Sequence, residues 1–178
     1  MKKSLLLTLL LLVLVPLLGA PQASNPNRWQ AWQFLLGEWI GEGTGAPGEG
    51  SGGFSFALDL QGQILVRKNH AAYPANKDRP AYSHDDLMVV YAEPGGEPNR
   101  AIYFDNEGHV IHYTAQFSDG GKTVTFLSDA APASPRFRLT YAKVDDRTVS
   151  IKFEIAPPGK PEAFASYIQA SARRKGAR

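Results

Sequence analysis

The 178 residues contain no cysteine. That excludes a disulfide framework and any lipid-modified cysteine behind an export signal. Histidine is scarce, at 4 residues, and none follows His112. There is no nucleophile elbow, P-loop, dinucleotide fingerprint or His-Glu-x-x-His segment, so no familiar motif nominates a reaction or a metal. The Gly-x-Gly run at 41–45 does not open a helix, and strand bending explains it better than phosphate binding.

A single long apolar stretch is present, from Leu5 to Leu18, interrupted by Thr8 and Pro16 and preceded by Lys2 and Lys3. A membrane-spanning helix needs about 20 apolar residues. The shorter stretch, ending in small and polar residues, reads as a signal peptide over residues 1–23, cut between Ala20 and Ser24. The expectation is an exported domain over 24–178, periplasmic or secreted, with no stable membrane anchor. Two of the 19 Lys and Arg lie in that segment, which leaves 17 against 17 Asp and Glu. A formally neutral domain gives no reason to expect nucleic acid as a partner. A homodimer is compatible with these features.

Asn25, Pro26 and the helically spaced Trp29, Trp32, Leu35 and Leu36 predict one short amphipathic helix over 25–36. Beyond Gly37 the pattern turns to short runs separated by turn residues, at 45–53, 61–62, 93–99, 105–108, 118–121, 145–146 and 157–161. Several runs alternate with period two, such as Phe54, Phe56, Leu58 and Leu60, or Val149, Ile151, Phe153 and Ile155. About nine or ten antiparallel strands follow from counting such runs. Closure into an up-and-down barrel removes the exposed edges, with a two-sheet sandwich as the alternative. The segment from Tyr73 to Asp86 reads as a long polar loop at the mouth.

Residues 34–43, Phe-Leu-Leu-Gly-Glu-Trp-Ile-Gly-Glu-Gly, place a Gly-x-Trp and alternating glycines directly behind the helix. Physically, Gly37 lets the chain leave the helix, Trp39 plugs the closed end, and Gly41 and Gly43 permit a bent first strand. This opening resembles that of lipocalin-like barrels. With Gly53-Phe54-Ser55-Phe56, the following Leu65-Val66-Arg67 and the closing Ala172-Arg173-Arg174-Lys175, the chain looks most like the bacterial domain-of-unknown-function 1579 family. It is more distantly similar to the haem-binding nitrobindins. The resemblance implies an arginine of the last strand over Trp39, and Arg173 is the expected partner, with Arg174 and Arg178 as solvated tail residues.

The barrel interior then suggests a small hydrophobic or amphipathic ligand lined by Phe54, Phe56, Tyr103, Tyr113 and Phe117, with Leu58, Ile111, Phe126 and Phe153 on the same faces. Arg67, His70 or His112 would supply polar groups at the mouth. Two alternatives stay open. A nitrobindin-type haem site would need an axial ligand, which the last strand offers only as Tyr167. A small hydrolase or isomerase would use His84 and Asp86, which share a face if they lie on a strand while Asp85 points away. Loop capping explains that cluster without any reaction. His109 and His112, three apart, would fall on opposite faces of a strand and do not make a metal pair.

Overall fold

A computed structural model describes residues 26–42 and 50–176, so the signal segment, Gly43 and Arg178 lie outside the described residues. Pro26–Trp32 form a 3-10 helix, tighter than an α-helix and suited to one short turn across a barrel end. Trp29 and Trp32 are its buried side, and Leu35 is buried in the turn that follows. The Trp29 indole donates to the Gly62 carbonyl at 2.8 Å, which ties the helix to a turn of the sheet.

Ten strands follow: β1 (Gly37–Glu42), β2 (Ser51–Asp59), β3 (Ile64–Tyr73), β4 (Tyr82–Tyr91), β5 (Arg100–Asp105), β6 (Val110–Ser118), β7 (Thr123–Ser128), β8 (Arg136–Lys143), β9 (Thr148–Ala156) and β10 (Ala165–Arg174). Each pairs antiparallel with the next, and β10 returns to β1, so the sheet is a closed up-and-down barrel and not a sandwich. Period-two alternation carries this arrangement. In β4, Asp86, Met88 and Val90 are buried while their neighbours reach the outer surface.

Two connections differ from the sequence reading. The polar stretch after Tyr73 is a loop only over 74–81, because Tyr82 pairs with Tyr73 and Asp86 with Asn69 in a continuous ladder. Its inward positions are polar, and apolar periodicity does not mark such a strand. Residues 129–135, which join β7 to β8, are a connection absent from the turns that the sequence predicts.

The closing seam explains the first glycine. Gly37 has φ +111, and a side chain there would also sit 2.9 Å from the Arg174 guanidinium. Close backbone approach occurs at Gly52 and Gly53, whose Cβ atoms would run into the carbonyl oxygens of His70 and Trp39 respectively. At Gly41 the same test finds its nearest neighbour 3.4 Å away. The backbone crowding therefore lies on β2 and not at Gly41.

Candidate functional site

The barrel interior has two halves. Below, towards the helix, it is filled. Trp39 stacks on Phe54 at 5.9 Å, and Phe54, Phe56 and Phe126 surround Tyr141 at 5.5, 5.6 and 6.4 Å. Phe117 meets Trp32 edge-on at 4.9 Å. Phe54, Phe56 and Tyr113, three of the lining candidates, are thus fully buried packing, and Phe117 lies beneath the helix. Leu58 sits beyond them at the closed-end rim, 40 % exposed.

Above, the inward positions reach water. Tyr103 and Ile111 face each other across β5 and β6, Phe137 pairs with Ile155, and Phe153 with both Leu139 and Ile168. Tyr103, Ile111, Phe137, Phe153, Ile155 and Ile168 are all half-buried, although their register points them inward. Half-buried apolar and aromatic side chains thus surround the mouth half of the barrel, the cup. Its rim carries Tyr73 stacked on Tyr82 at 4.6 Å, with the Arg79 guanidinium 4.5 Å over Tyr82.

A polar layer separates the halves. Arg67, 7 % exposed, reaches inward from β3 and forms an ion pair with Asp86. Its guanidinium carbon lies 5.7 Å from the Phe54 ring centre and 5.9 Å from that of Tyr141 on β8. Asn69 donates to the other Asp86 oxygen at 2.9 Å, and His84 Nε2 stands 3.5 Å from that same oxygen. The imidazole also meets Glu107 at 3.0 Å through Nδ1 and the Tyr103 hydroxyl at 3.0 Å through Nε2. Tyr103 in turn donates to Asp105 at 3.2 Å. Asp105 accepts from the backbone N–H groups of Glu107 and His109 at 3.0 and 2.9 Å.

The carboxylates decide the charge of His84. Hydrogen bonding to Asp86 and then Glu107 pushes its pKa up to about 9, against the opposing effect of burial. Burial, with Asp86 and Asp105 nearby, raises the Tyr103 phenol well above its ordinary range. At neutral pH the pair is an imidazolium and a neutral phenol. An imidazolium has no lone pair with which to take a proton, which weakens the reading of His84 as a general base.

The remaining candidates fall elsewhere. His84 and Asp86 do share the inner face, and Asp85 points out. Asp85 pairs there with His70 at 2.6 Å, both exposed. His112 is exposed on the outer wall, because its neighbours Ile111 and Tyr113 take the inward positions. Neither His70 nor His112 supplies a group to the mouth. His109 lies in the turn before β6, bound to Asp105 at 2.8 Å. Arg173 also points outward, 2.9 Å from Glu42, whereas Arg174 covers Trp39 at 4.4 Å. The register requires this exchange, since Trp39 pairs with Arg174 and Ile40 with Arg173.

A surface hollow of about 880 Å³ crosses the outer wall of β1 to β5, bordered by Ile40, Lys68, Leu87 and Phe104. It is separated from the cup by the sheet itself. Among the described residues no three His, Asp or Glu side chains are gathered to hold a metal ion. Sequence reasoning missed Asn69 and Asp105 as parts of the polar layer. Asp105 read only as the first residue of a turn, and strand register alone connects Asn69 to Asp86. No protein-family model matches the chain, and no curated protein is significantly similar to it.

Proposed function

We propose that the protein is a carrier that holds a small apolar or amphipathic molecule in the mouth half of the barrel. The observation that carries this reading is the gradient of exposure along the inward faces. Inward rings at the centre of the barrel, Phe56, Phe126 and Tyr141, are fully buried, and inward apolar side chains nearer the mouth, Ile111, Phe137 and Phe153, are half-buried. Apolar walls left in contact with water gain free energy, about 25 cal/mol per Å², when a ligand covers them. The buried polar layer gives such a ligand a defined floor, and pockets of this composition are common binding sites. Export, by way of residues 1–23, and kinship with the domain-of-unknown-function 1579 family belong to the same proposal. They rest on the charged and apolar N-terminus and on the Gly-x-Trp opening.

Titration of an environment-sensitive apolar dye into the purified 24–178 chain tests the carrier reading. Saturable binding of one dye per chain is expected, and native mass spectrometry of freshly purified protein should show the same stoichiometry for any co-purifying lipid. A folded protein that binds no dye to saturation would sink the proposal.

A further inference from the structure

We infer that the protein pairs with a second copy of itself through the outer wall of β3 to β6, in a two-fold dimer centred on Leu87 and Phe104. This goes beyond the carrier reading and does not depend on it.

Antiparallel sheets around a core ordinarily turn polar residues outward. On β8 and β9 they do, with Arg138, Thr140, Ser150 and Lys152. The wall across the barrel from these strands departs from that rule. Ladder register sets Val66, Val89 and Ile102 side by side in one outward row. The next row towards the mouth holds Lys68, Leu87, Phe104 and Val110. Phe104 and Val110 are 42 % and 58 % exposed, and the hollow bordered by Ile40, Lys68, Leu87 and Phe104 adjoins them. Six outward apolar side chains thus form one contiguous patch, and an exposed patch of this kind with polar groups at its margin marks an interaction surface.

The charges at that margin select the occupant. Lys68 lies beside Leu87, and Asp85 stands one strand across and two residues nearer the mouth, paired with the exposed His70 at 2.6 Å. One cation and one carboxylate on the same patch complement each other only across a two-fold axis, which is the symmetry of an isologous dimer. Strands are about 4.8 Å apart and successive outward residues about 7 Å apart along each strand. On a flat projection with that spacing, an axis midway between Lys68 and Asp85 runs past Leu87 and Phe104. It sets each of these two against its own mate, brings Val110 of one copy onto Ile102 of the other, and forms the Lys68–Asp85 pair twice. An anionic bilayer would instead ask for a cluster of basic residues, whereas the other lysine at the hollow, Lys175, is held by Glu38 at 2.7 Å. The 24–178 chain balances 17 basic against 17 acidic residues, the two lysines of the signal segment being left out of the 19. No net charge therefore keeps two copies apart.

A convex barrel wall buries an area at the weak end of specific interfaces, so the dimer should dissociate in the micromolar range. Sedimentation velocity of the purified 24–178 chain, from about 1 to 200 µM, brackets such an equilibrium. The wild type should pass from monomer to dimer across this range. Phe104→Asp and Val110→Asp should each weaken association about tenfold or more, as charges set into the apolar centre of an interface. Val144→Asp, at a comparably exposed apolar residue in the β8–β9 turn, should leave association unchanged. Lys68→Asp should weaken the dimer by opposing like charges, and joining it with Asp85→Lys should restore it. A wild type that stays monomeric throughout, or that assembles past the dimer, overturns the inference. Association that survives Phe104→Asp and Val110→Asp, with both variants folded by circular dichroism, overturns this wall as the interface. A charge exchange that fails to restore association overturns the placement of the axis. A monomeric wild type that floats with phosphatidylglycerol vesicles, in a manner lost in Val110→Asp, overturns the second copy in favour of a bilayer. Should Phe104→Asp fail to fold, Val110→Asp and the charge exchange decide the matter.

Discussion

Arg174 lies 4.4 Å over the ring of Trp39 while its guanidinium donates to the carbonyls of Phe34, at 2.9 Å, and Leu36. One side chain of the last strand thus joins three pieces of the opening: the helix exit, the first strand and the plug of the closed end. The Trp39 indole completes the arrangement by donating to Leu35 at 2.8 Å. Closing a barrel demands that residues separated by nearly the whole chain meet in register, and this contact supplies charge, ring face and backbone acceptors at that seam.

Loss of the latch should be felt as global stability. Arg174→Ala is expected to cost about 1–3 kcal/mol, since it leaves carbonyls at the helix exit without their donor. Arg173→Ala, which breaks only an exposed pair with Glu42, should cost about 0.5 kcal/mol or less. Trp39→Ala, a large-to-small change in packed core, should cost roughly 3–5 kcal/mol. Urea unfolding of the three variants checks the order, and equal effects of the two arginine changes would refute it.

The barrel was legible because on most strands its outer and inner faces differ in polarity wherever the core is apolar. Phe54 and Phe56, or Ile151 and Phe153, announce an inward face by alternation alone. The short helix before Gly37 was legible from Pro26 and the spacing of its tryptophans, though it is a 3-10 helix ending at Trp32 and not one that runs on to Leu36. Where the interior becomes polar the signal inverts: Asn69, His84, Asp86 and Asp105 are inward, yet His84, Asp86 and Asp105 read as loop or turn and Asn69 carries no apolar mark of an inward face. The choice between Arg173 and Arg174 depended on a register of one residue, and a one-residue slip exchanges the two faces of a strand. Half-burial above Arg67 is a property of depth in the closed barrel, which no local pattern records.

The polar layer makes the protein sensitive to alkali. With its pKa raised to about 9 from 6.5, His84 binds a proton more tightly in the folded chain than in the unfolded one. Its contribution to stability is complete below about pH 6.5 and is lost as pH rises through 9. The stability difference between wild type and His84→Asn, read by urea unfolding, should therefore shrink steadily from pH 6 to above 9. An imidazole found by NMR to titrate near its ordinary value would contradict this.

Crowding at β2 gives a sign that can be tested. Glycine to alanine within a strand ordinarily stabilises, by limiting the unfolded chain and improving strand propensity. At Gly53 the added carbon would meet the Trp39 carbonyl oxygen, so Gly53→Ala should destabilise by about 1–3 kcal/mol. A thermal midpoint that rises in this variant would show that the strands are not as close as described.

The final prediction separates the filled half of the barrel from the open half with the same chemical insult. Tyr113 is 2 % exposed, with the rings of Phe126 and Tyr103 at 6.2 and 6.4 Å, so a carboxylate placed there would have no water, and Arg67, the cation in reach, is already paired with Asp86. Tyr113→Glu should cost several kcal/mol and unfold much of the population, because an unpaired buried charge is among the largest single penalties available. Phe153 is stacked on Phe137 at 6.0 Å yet half-buried, and a carboxylate in its place can turn into the water of the cup. Phe153→Glu should therefore fold, at a cost of about 1–3 kcal/mol for the lost ring contacts, and should lose apolar dye binding. Circular dichroism and urea unfolding report the first difference, and dye titration of the folded variant reports the second. If Phe153→Glu unfolds as completely as Tyr113→Glu, the two halves are packed alike and there is no cup; if it folds and binds the dye as the wild type does, the ligand site lies elsewhere.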